Sequence, residues 1–138
     1  MVTSTSQSEQ RRLRVLIVDD NHDLTTVLQK AFTVCGASAI VANDGVRAIE
    51  LARKMPIDVI LCDLNMPGID GFNLVRILRA DPTMPYHPVC AFTGRSDETC
   101  RRQAVECGFD GYIVKSARFP DVLSFLKRYQ QAGVGDAP

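Results

Sequence analysis

An α/β domain, built on a five-stranded parallel sheet with helices on both faces, is the fold class that this 138-residue sequence predicts. Three observations lead to it. Short apolar runs of strand character alternate with longer segments whose apolar residues recur at helical spacing. The runs are continuous rather than alternating, which suits strands buried on both faces. Parallel neighbours also need crossovers, and the intervening helices supply them.

Residues 13–18 (LRVLIV) form the first strand and end in Asp19-Asp20. Leu24, Val27, Leu28, Ala31 and Phe32 then mark one helical face, and Gly36 supplies the stop. Residues 37–42 make a weaker second strand, rich in Ala and Ser. Asn43-Asp44-Gly45 breaks the chain before a helix over 46–55, whose stripe is Val46, Ile49 and Ala52 or Arg53 and which Pro56 ends. Residues 59–62 are the third strand, closed by Asp63, and Asn65-Met66-Pro67-Gly68 is a turn-rich loop.

A helix over 72–80 turns Leu74, Ile77 and Leu78 inward and stops at Asp81-Pro82. Pro82, Pro85 and Pro88 keep 82–88 out of any helix interior. Residues 89–92 are the fourth strand. Ser96 opens a polar helix toward Cys107, with Asp97 and Glu98 in the first turn, where the macrodipole favours acids. Gly108 closes it. Residues 112–114 are the fifth strand and end at Lys115. Val122, Leu123, Phe125 and Leu126 line a last helix over 121–130.

Hydrophobic residues make up 46% and charged residues 23%, the balance of a water-soluble globular domain. With 16 basic and 16 acidic side chains the formal charge is zero. No overall pull toward nucleic acid or an anionic membrane follows, so neither is expected as a partner. No apolar run approaches the roughly 18–20 residues of a membrane helix. The five cysteines are scattered, without Cys-x-x-Cys pairs or zinc spacing, which favours a reducing cytoplasm. The polar segments 1–12 and 131–138 read as flexible tails around one domain, 13–130.

Position is the informative feature of the charges. Asp19, Asp20, Asp63, Thr93 and Lys115 all fall at or just past the carboxyl end of a predicted strand. In an open α/β sheet those ends share one edge, where ligands bind. An Asp in that place commonly caps the next helix, but five separate caps have no reason to converge. Clustered carboxylates repel unless a cation joins them. A hard dication with oxygen ligands answers that need, and Mg²⁺ suits few carboxylates plus a phosphate. Lys115 supplies a compact charge and Thr93 a hydroxyl for phosphoryl oxygens. Asp63 is a plausible nucleophile, since carboxylates form acyl phosphates.

The segments LRVLIVDDN (13–21), VILCDLNMPGIDGF (59–72), VCAFTGR (89–95) and GYIVK (111–115) resemble the receiver domains of two-component response regulators. The resemblance spans about residues 13–130. It implies a doubly wound, flavodoxin-like sheet of order 2-1-3-4-5, the order known for the chemotaxis member of the family. It also implies that Asp63 is the phosphoacceptor, Asp20 a direct Mg²⁺ ligand and Asp19 one acting mainly through water, with the Asn65 carbonyl completing the protein's share. Thr93 and Lys115 would contact the phosphoryl oxygens, and Thr93 with Tyr112 would form the switch.

The implied function is phosphoacceptance rather than conventional enzymatic turnover, with self-phosphorylation and autodephosphorylation. The implied partners are a histidine kinase or histidine phosphotransfer protein and a downstream protein on the face of the fourth helix, fifth strand and fifth helix. A monomer or weak phosphorylation-dependent dimer would result. Ser116 stands where the family usually carries a proline after the lysine, so a cis bond is not expected there. Arg95 and Asn65 occupy the flanking positions that, in the family, help set dephosphorylation rate.

Two other classes compete. Asp63-Leu64-Asn65 faintly resembles the Asp-x-Asp of aspartate-nucleophile phosphatases, but Asn65 replaces the carboxylate needed for acid/base turnover. A non-phosphorylated binding module or flavodoxin-like cofactor carrier would not need the whole acidic set with Thr93 and Lys115. His22 is expected as a loop or first-turn residue and Cys62 as strand packing.

Overall fold

The computed structural model describes residues 12–130. The tails expected at 1–12 and 131–138 lie outside the described residues, apart from Arg12. Five strands and five helices alternate: β1 (Arg14–Val18), α1 (His22–Val34), β2 (Ser38–Ala42), α2 (Gly45–Lys54), β3 (Val59–Cys62), α3 (Gly71–Ala80), β4 (Val89–Thr93), α4 (Glu98–Cys107), β5 (Gly111–Val114) and α5 (Phe119–Leu126). All pairings are parallel, in the order β2-β1-β3-β4-β5. The expected doubly wound sheet is therefore present.

Strand alternation divides the core between the two faces. Leu16, Val18, Ile60, Cys62, Val89 and Ala91 point to the layer of α2, α3 and α4, where Leu51, Leu74, Leu78 and Ala104 meet them. Val15, Ile17, Val59, Leu61, Cys90 and Phe92 point to α1 and α5, against Leu28, Phe32, Val122 and Leu126. Phe32 is fully buried, a gain of about 1.5–3 kcal/mol over exposure. Its ring meets Phe119 edge to face at 4.9 Å, which couples α1 to the start of α5.

Four helices start on an Asx side chain that accepts the backbone N–H three residues on: Asn21 from Leu24, Asp44 from Arg47, Asp70 from Asn73 and Asp97 from Cys100. The caps of α1 and α3 are thus Asn21 and Asp70. That leaves Asp19, Asp20 and Asp63 unused as caps.

Several expected helix faces and bounds are corrected. Val27, Val46 and Ile77 are exposed. The buried positions are Thr25, Leu28 and Phe32 on α1, Ala48, Leu51 and Ala52 on α2, and Leu74, Val75 and Leu78 on α3. Alanines at 48 and 52 let α2 lie close to the sheet, which rotates Val46 outward. Arg53 is likewise outside, paired with Asp81 at 2.8 Å. The fourth helix begins at Glu98 rather than Ser96, because Asp97 provides the cap. The last helix begins at Phe119, with Pro120 in its first turn, and passes into a 3₁₀ turn over Lys127–Tyr129. Proline there removes only a donor that has no intrahelical partner.

Candidate functional site

The carboxyl ends of β1, β3, β4 and β5 carry the predicted residues to one edge. Asp19 follows β1, Asp63 follows β3, Thr93 ends β4 and Lys115 follows β5. Strand order reverses between β1 and β3, and the acidic residues stand at that point.

Backbone bonds hold each carboxylate in place. The Asp19 N–H donates to the Ala42 carbonyl at 3.2 Å, and the Asp63 N–H donates to the Val18 carbonyl at 2.9 Å. Asn43 Nδ2 donates to the Asp19 carbonyl (2.8 Å) and to Thr25 Oγ1 (3.2 Å), which ties the β2–α2 loop to the site. Gly71 closes the other side. A Cβ at this position would stand 2.3 Å from the Asp63 carbonyl oxygen, so only glycine lets α3 start there.

Asp19, Asp20 and Asp63 each offer an oxygen within 4.8 Å of the others. Asp19 is 1% and Asp63 5% exposed, and Asp20 is open to solvent. Lys115 Nζ lies 2.9 Å from Asp19 Oδ2 and 3.5 Å from Asp63 Oδ1. Asp19 Oδ1 accepts the Asn21 N–H at 3.0 Å. Asp19 Oδ2 is buried and, despite its neighbouring ammonium, accepts no well-aligned hydrogen bond among the described residues. The Asn65 N–H donates weakly to Asp63 Oδ1 at 3.3 Å.

One cation thus faces three carboxylates. Burial, then the charge of Asp19, holds the Asp63 carboxyl above its usual range, with Lys115 only partly offsetting them. Burial works against the Lys115 ammonium, yet Asp19 and Asp63 together raise its pKa. An under-neutralised oxygen set of this kind, with two carboxylates buried and one open to solvent, fits a hard dication such as Mg²⁺.

The remaining predicted residues lie beside this cluster. Thr93 is fully buried, and its Oγ1 accepts the Arg95 N–H at 3.2 Å. Its carbonyl accepts the Lys115 N–H at 2.7 Å, which joins the ends of β4 and β5. Tyr112 does not reach the carboxylates. It is half-buried and donates its hydroxyl to the Arg95 carbonyl at 2.7 Å. Burial, then the Cys100 thiol, pushes that hydroxyl up to about 12, so it remains a donor. The Arg95 guanidinium turns to Asp97, with both bonds at 3.0 Å.

His22 is the exposed first residue of α1. Cys62 is buried, and burial followed by the Asp63 charge pushes its thiol far up, so it is packing rather than a nucleophile. The described residues contain no cis peptide bond, including the one after Lys115. Two contacts had no local signal in the sequence: Asn43 beneath Asp19, and the Arg101 guanidinium 4.5 Å from the centre of the Tyr112 ring.

Fold and site together define a doubly wound α/β domain with an acidic pocket and a lysine at its switch point. The chain belongs to the response regulator receiver domain family, which matches residues 15–127. It is 35% identical over 115 residues to the transcriptional regulatory protein PrrA of Mycobacterium tuberculosis, covering 83% of this chain and 48% of that protein. It is 34% identical over 116 residues to the DNA-binding response regulator MtrA of the same organism, covering 84% and 50%. The chain therefore spans about half the length of these curated relatives.

Among solved structures, it is similar to the Vibrio cholerae chemotaxis protein CheY4, with TM-score 0.79, 27% identity and coverage of 86% and 98%. It is also similar to the receiver domain of the sensor histidine kinase PA1611 of Pseudomonas aeruginosa, whose structure has a magnesium ion coordinated in the active site cleft. That match has TM-score 0.76, 25% identity and coverage of 86% and 97%. The family is one of signalling domains in two-component systems rather than of conventional enzymes. Among the described residues no helix is long and apolar enough to cross a membrane.

Proposed function

We propose that residues 13–130 form a phosphoacceptor domain in which Asp63 takes a phosphoryl group from a histidine kinase or histidine phosphotransfer protein. The observation that carries this reading is the meeting of Asp19, Asp20 and Asp63 within 4.8 Å, with Lys115 beside two of them. An Asx cap or a solvated lysine has no need of such a meeting.

Asp20 and Asp63 would hold Mg²⁺ directly, Asp19 mainly through water, and the Asn65 carbonyl would complete the protein's share. When bound, the ion neutralises carboxylate and phosphoryl charge. An Asp63 oxygen attacks phosphorus as the bond to the donor's imidazole nitrogen, or to acetate in acetyl phosphate, breaks and its electron pair leaves with the donor. Lys115 Nζ, already drawn toward Asp63, binds a phosphoryl oxygen. The Thr93 hydroxyl gives up its present role toward Arg95 and donates to another.

Movement at Thr93 and Tyr112 then alters the α4–β5–α5 face, where a downstream protein binds. DNA binding belongs to MtrA as a whole protein, and no nucleic-acid contact is proposed for residues 13–130 of this chain. The chain acts as a monomer or a weak phosphorylation-dependent dimer in the cytoplasm.

The test is intact-protein mass after incubation with acetyl phosphate, with and without Mg²⁺, for the wild type and Asp63→Asn. The expected result is a metal-dependent gain of one phosphoryl group that Asp63→Asn abolishes. Labelling of Asp63→Asn at wild-type stoichiometry would reject Asp63 as acceptor. Lys115→Ala is expected to keep Mg²⁺ binding and lose most of the phosphorylation-dependent conformational shift.

A further inference from the structure

Tyr112 is held by two residues outside the acidic pocket. Its hydroxyl donates to the Arg95 carbonyl at 2.7 Å, and the Arg95 N–H donates to Thr93 Oγ1 at 3.2 Å. One residue therefore touches both the buried threonine at the end of β4 and the tyrosine on β5. The Arg95 guanidinium is turned toward Asp97, which accepts from Nε and a terminal nitrogen, both at 3.0 Å, in a solvent-exposed pair. Asp97 is also the cap of α4, accepting the Cys100 N–H at 3.1 Å.

Arg101 comes one turn further along that helix. Its guanidinium carbon lies 4.5 Å from the centre of the Tyr112 ring, within cation–π range. Most other arginines with a described side-chain contact meet an oxygen: Arg14 at Asp58, Arg47 at Glu50, Arg53 at Asp81, Arg79 at Asp110 and Arg95 at Asp97. Among the described residues Arg101 forms no ion pair, and its described contact is the Tyr112 ring. It is solvent-exposed, so packing does not explain where it lies.

We infer that Arg101 is a positioning residue for the switch: seated on the Tyr112 ring, it favours the side-chain position in which the hydroxyl meets the Arg95 carbonyl. This rests on the phosphoacceptor reading of Asp63. A tyrosine that leaves this position must break the bond to Arg95 and abandon the guanidinium together. Arg101 therefore sets how much of the protein has a rearranged tyrosine before phosphorylation, and how large a change phosphorylation produces. At an exposed site the contact is worth about a two- to fivefold bias between the two positions.

The experiment uses the full 138-residue chain labelled with 3-fluorotyrosine, which gives fluorine resonances for Tyr86, Tyr112 and Tyr129. Tyr112→Phe assigns the Tyr112 signal. Spectra of wild type, Arg101→Gln and Arg101→Lys are recorded in Mg²⁺ before and after acetyl phosphate, with intact mass measured on the same samples. The expected result is that Arg101→Gln moves the unphosphorylated Tyr112 signal toward its phosphorylated position by a two- to fivefold change in population. Arg101→Lys, which keeps a cation, restores most of the wild-type position.

Phosphoryl gain should be equal in all three proteins, and the Tyr86 and Tyr129 signals should stay in place as controls for the fold. A Tyr112 signal identical in wild type and Arg101→Gln would overturn the role of Arg101, whatever the masses show. Equal displacement by Gln and Lys would also overturn it, since a cation on the ring would then not matter. Absence of phosphoryl gain in the wild type is a separate failure, and it would remove the switch that Arg101 is assigned to bias.

Discussion

Strand β3 has an aspartate just outside each end, and the two are treated in opposite ways. Asp58, before the strand, is 1% exposed and fully engaged. It accepts the Arg14 backbone N–H at 2.8 Å and two guanidinium bonds, at 2.9 and 3.3 Å. Its own N–H donates to the Arg14 carbonyl at 2.9 Å. Asp63, after the strand, is nearly as buried, but it shares one lysine with Asp19 and accepts a weak bond from Asn65. Four residues of β3 separate a carboxylate that locks two strands from one kept short of partners. A carboxylate with a planar, bidentate partner is a structural element. One whose charge is left incompletely answered is open to a further cation, as the proposed phosphoacceptor role of Asp63 requires.

The contrast can be broken from either end. The largest effect on stability is expected at the satisfied end. Asp58→Ala should cost about 3 kcal/mol, the low end for a broken buried pair because Arg14 reaches solvent. It should be read as a lower urea midpoint, and an unchanged midpoint would mean the pair is only decorative.

Next comes Mg²⁺. At about a hundred times its dissociation constant it should stabilise the wild type by about 2.7 kcal/mol, and Asp63→Asn should lose most of that gain. Equal stabilisation of both proteins would place the ion elsewhere.

Smaller still is the effect of Asp63→Asn without metal. Removing an under-neutralised charge should raise stability by about 0.5–2 kcal/mol, the usual range for stabilising substitutions. A fall in midpoint would show that Asp63 is better satisfied than its neighbours indicate.

The smallest effect is a pH slope. The native Asp63 carboxyl keeps its proton to higher pH than the unfolded chain does, because burial and Asp19 oppose its charge. Folding therefore takes up a proton between the two values, so this group's contribution to stability falls as pH rises through that window. In metal-free buffer, subtracting the Asp63→Asn profile from that of the wild type should isolate this decline.

Much of this was legible in the sequence because strand ends announce themselves. An apolar run that stops at Asp19, Asp63 or Lys115 places the charge on the ligand-binding edge without further information. Helix phase was less legible. Val27, Val46 and Ile77 lie on the apolar stripes of the sequence yet are exposed, while the small residues Ala48, Ala52 and Gly71 do the close packing. An apolarity pattern cannot distinguish a residue that fills space from one whose smallness lets two elements meet. The pairing of Arg14 with Asp58 spans 44 positions, and that of Arg101 with Tyr112 joins a helix to a strand. Neither leaves a local signature, so both needed the fold.

The glycine that seats α3 on the Asp63 carbonyl also decides which part of the pocket is able to move. With no room for even a methyl group, and with the Asp63 N–H tied to Val18, the backbone of the proposed phosphoacceptor is clamped from both sides. Gly94 and Arg95, beyond Thr93, are by contrast exposed, and Arg95 is held by side-chain bonds that can be exchanged. On the proposed function, capture and response are thereby divided between two mechanically unequal halves of one edge. Substitutions in the loop after β4 should retune timing and output of the switch while leaving the capture of the phosphoryl group untouched.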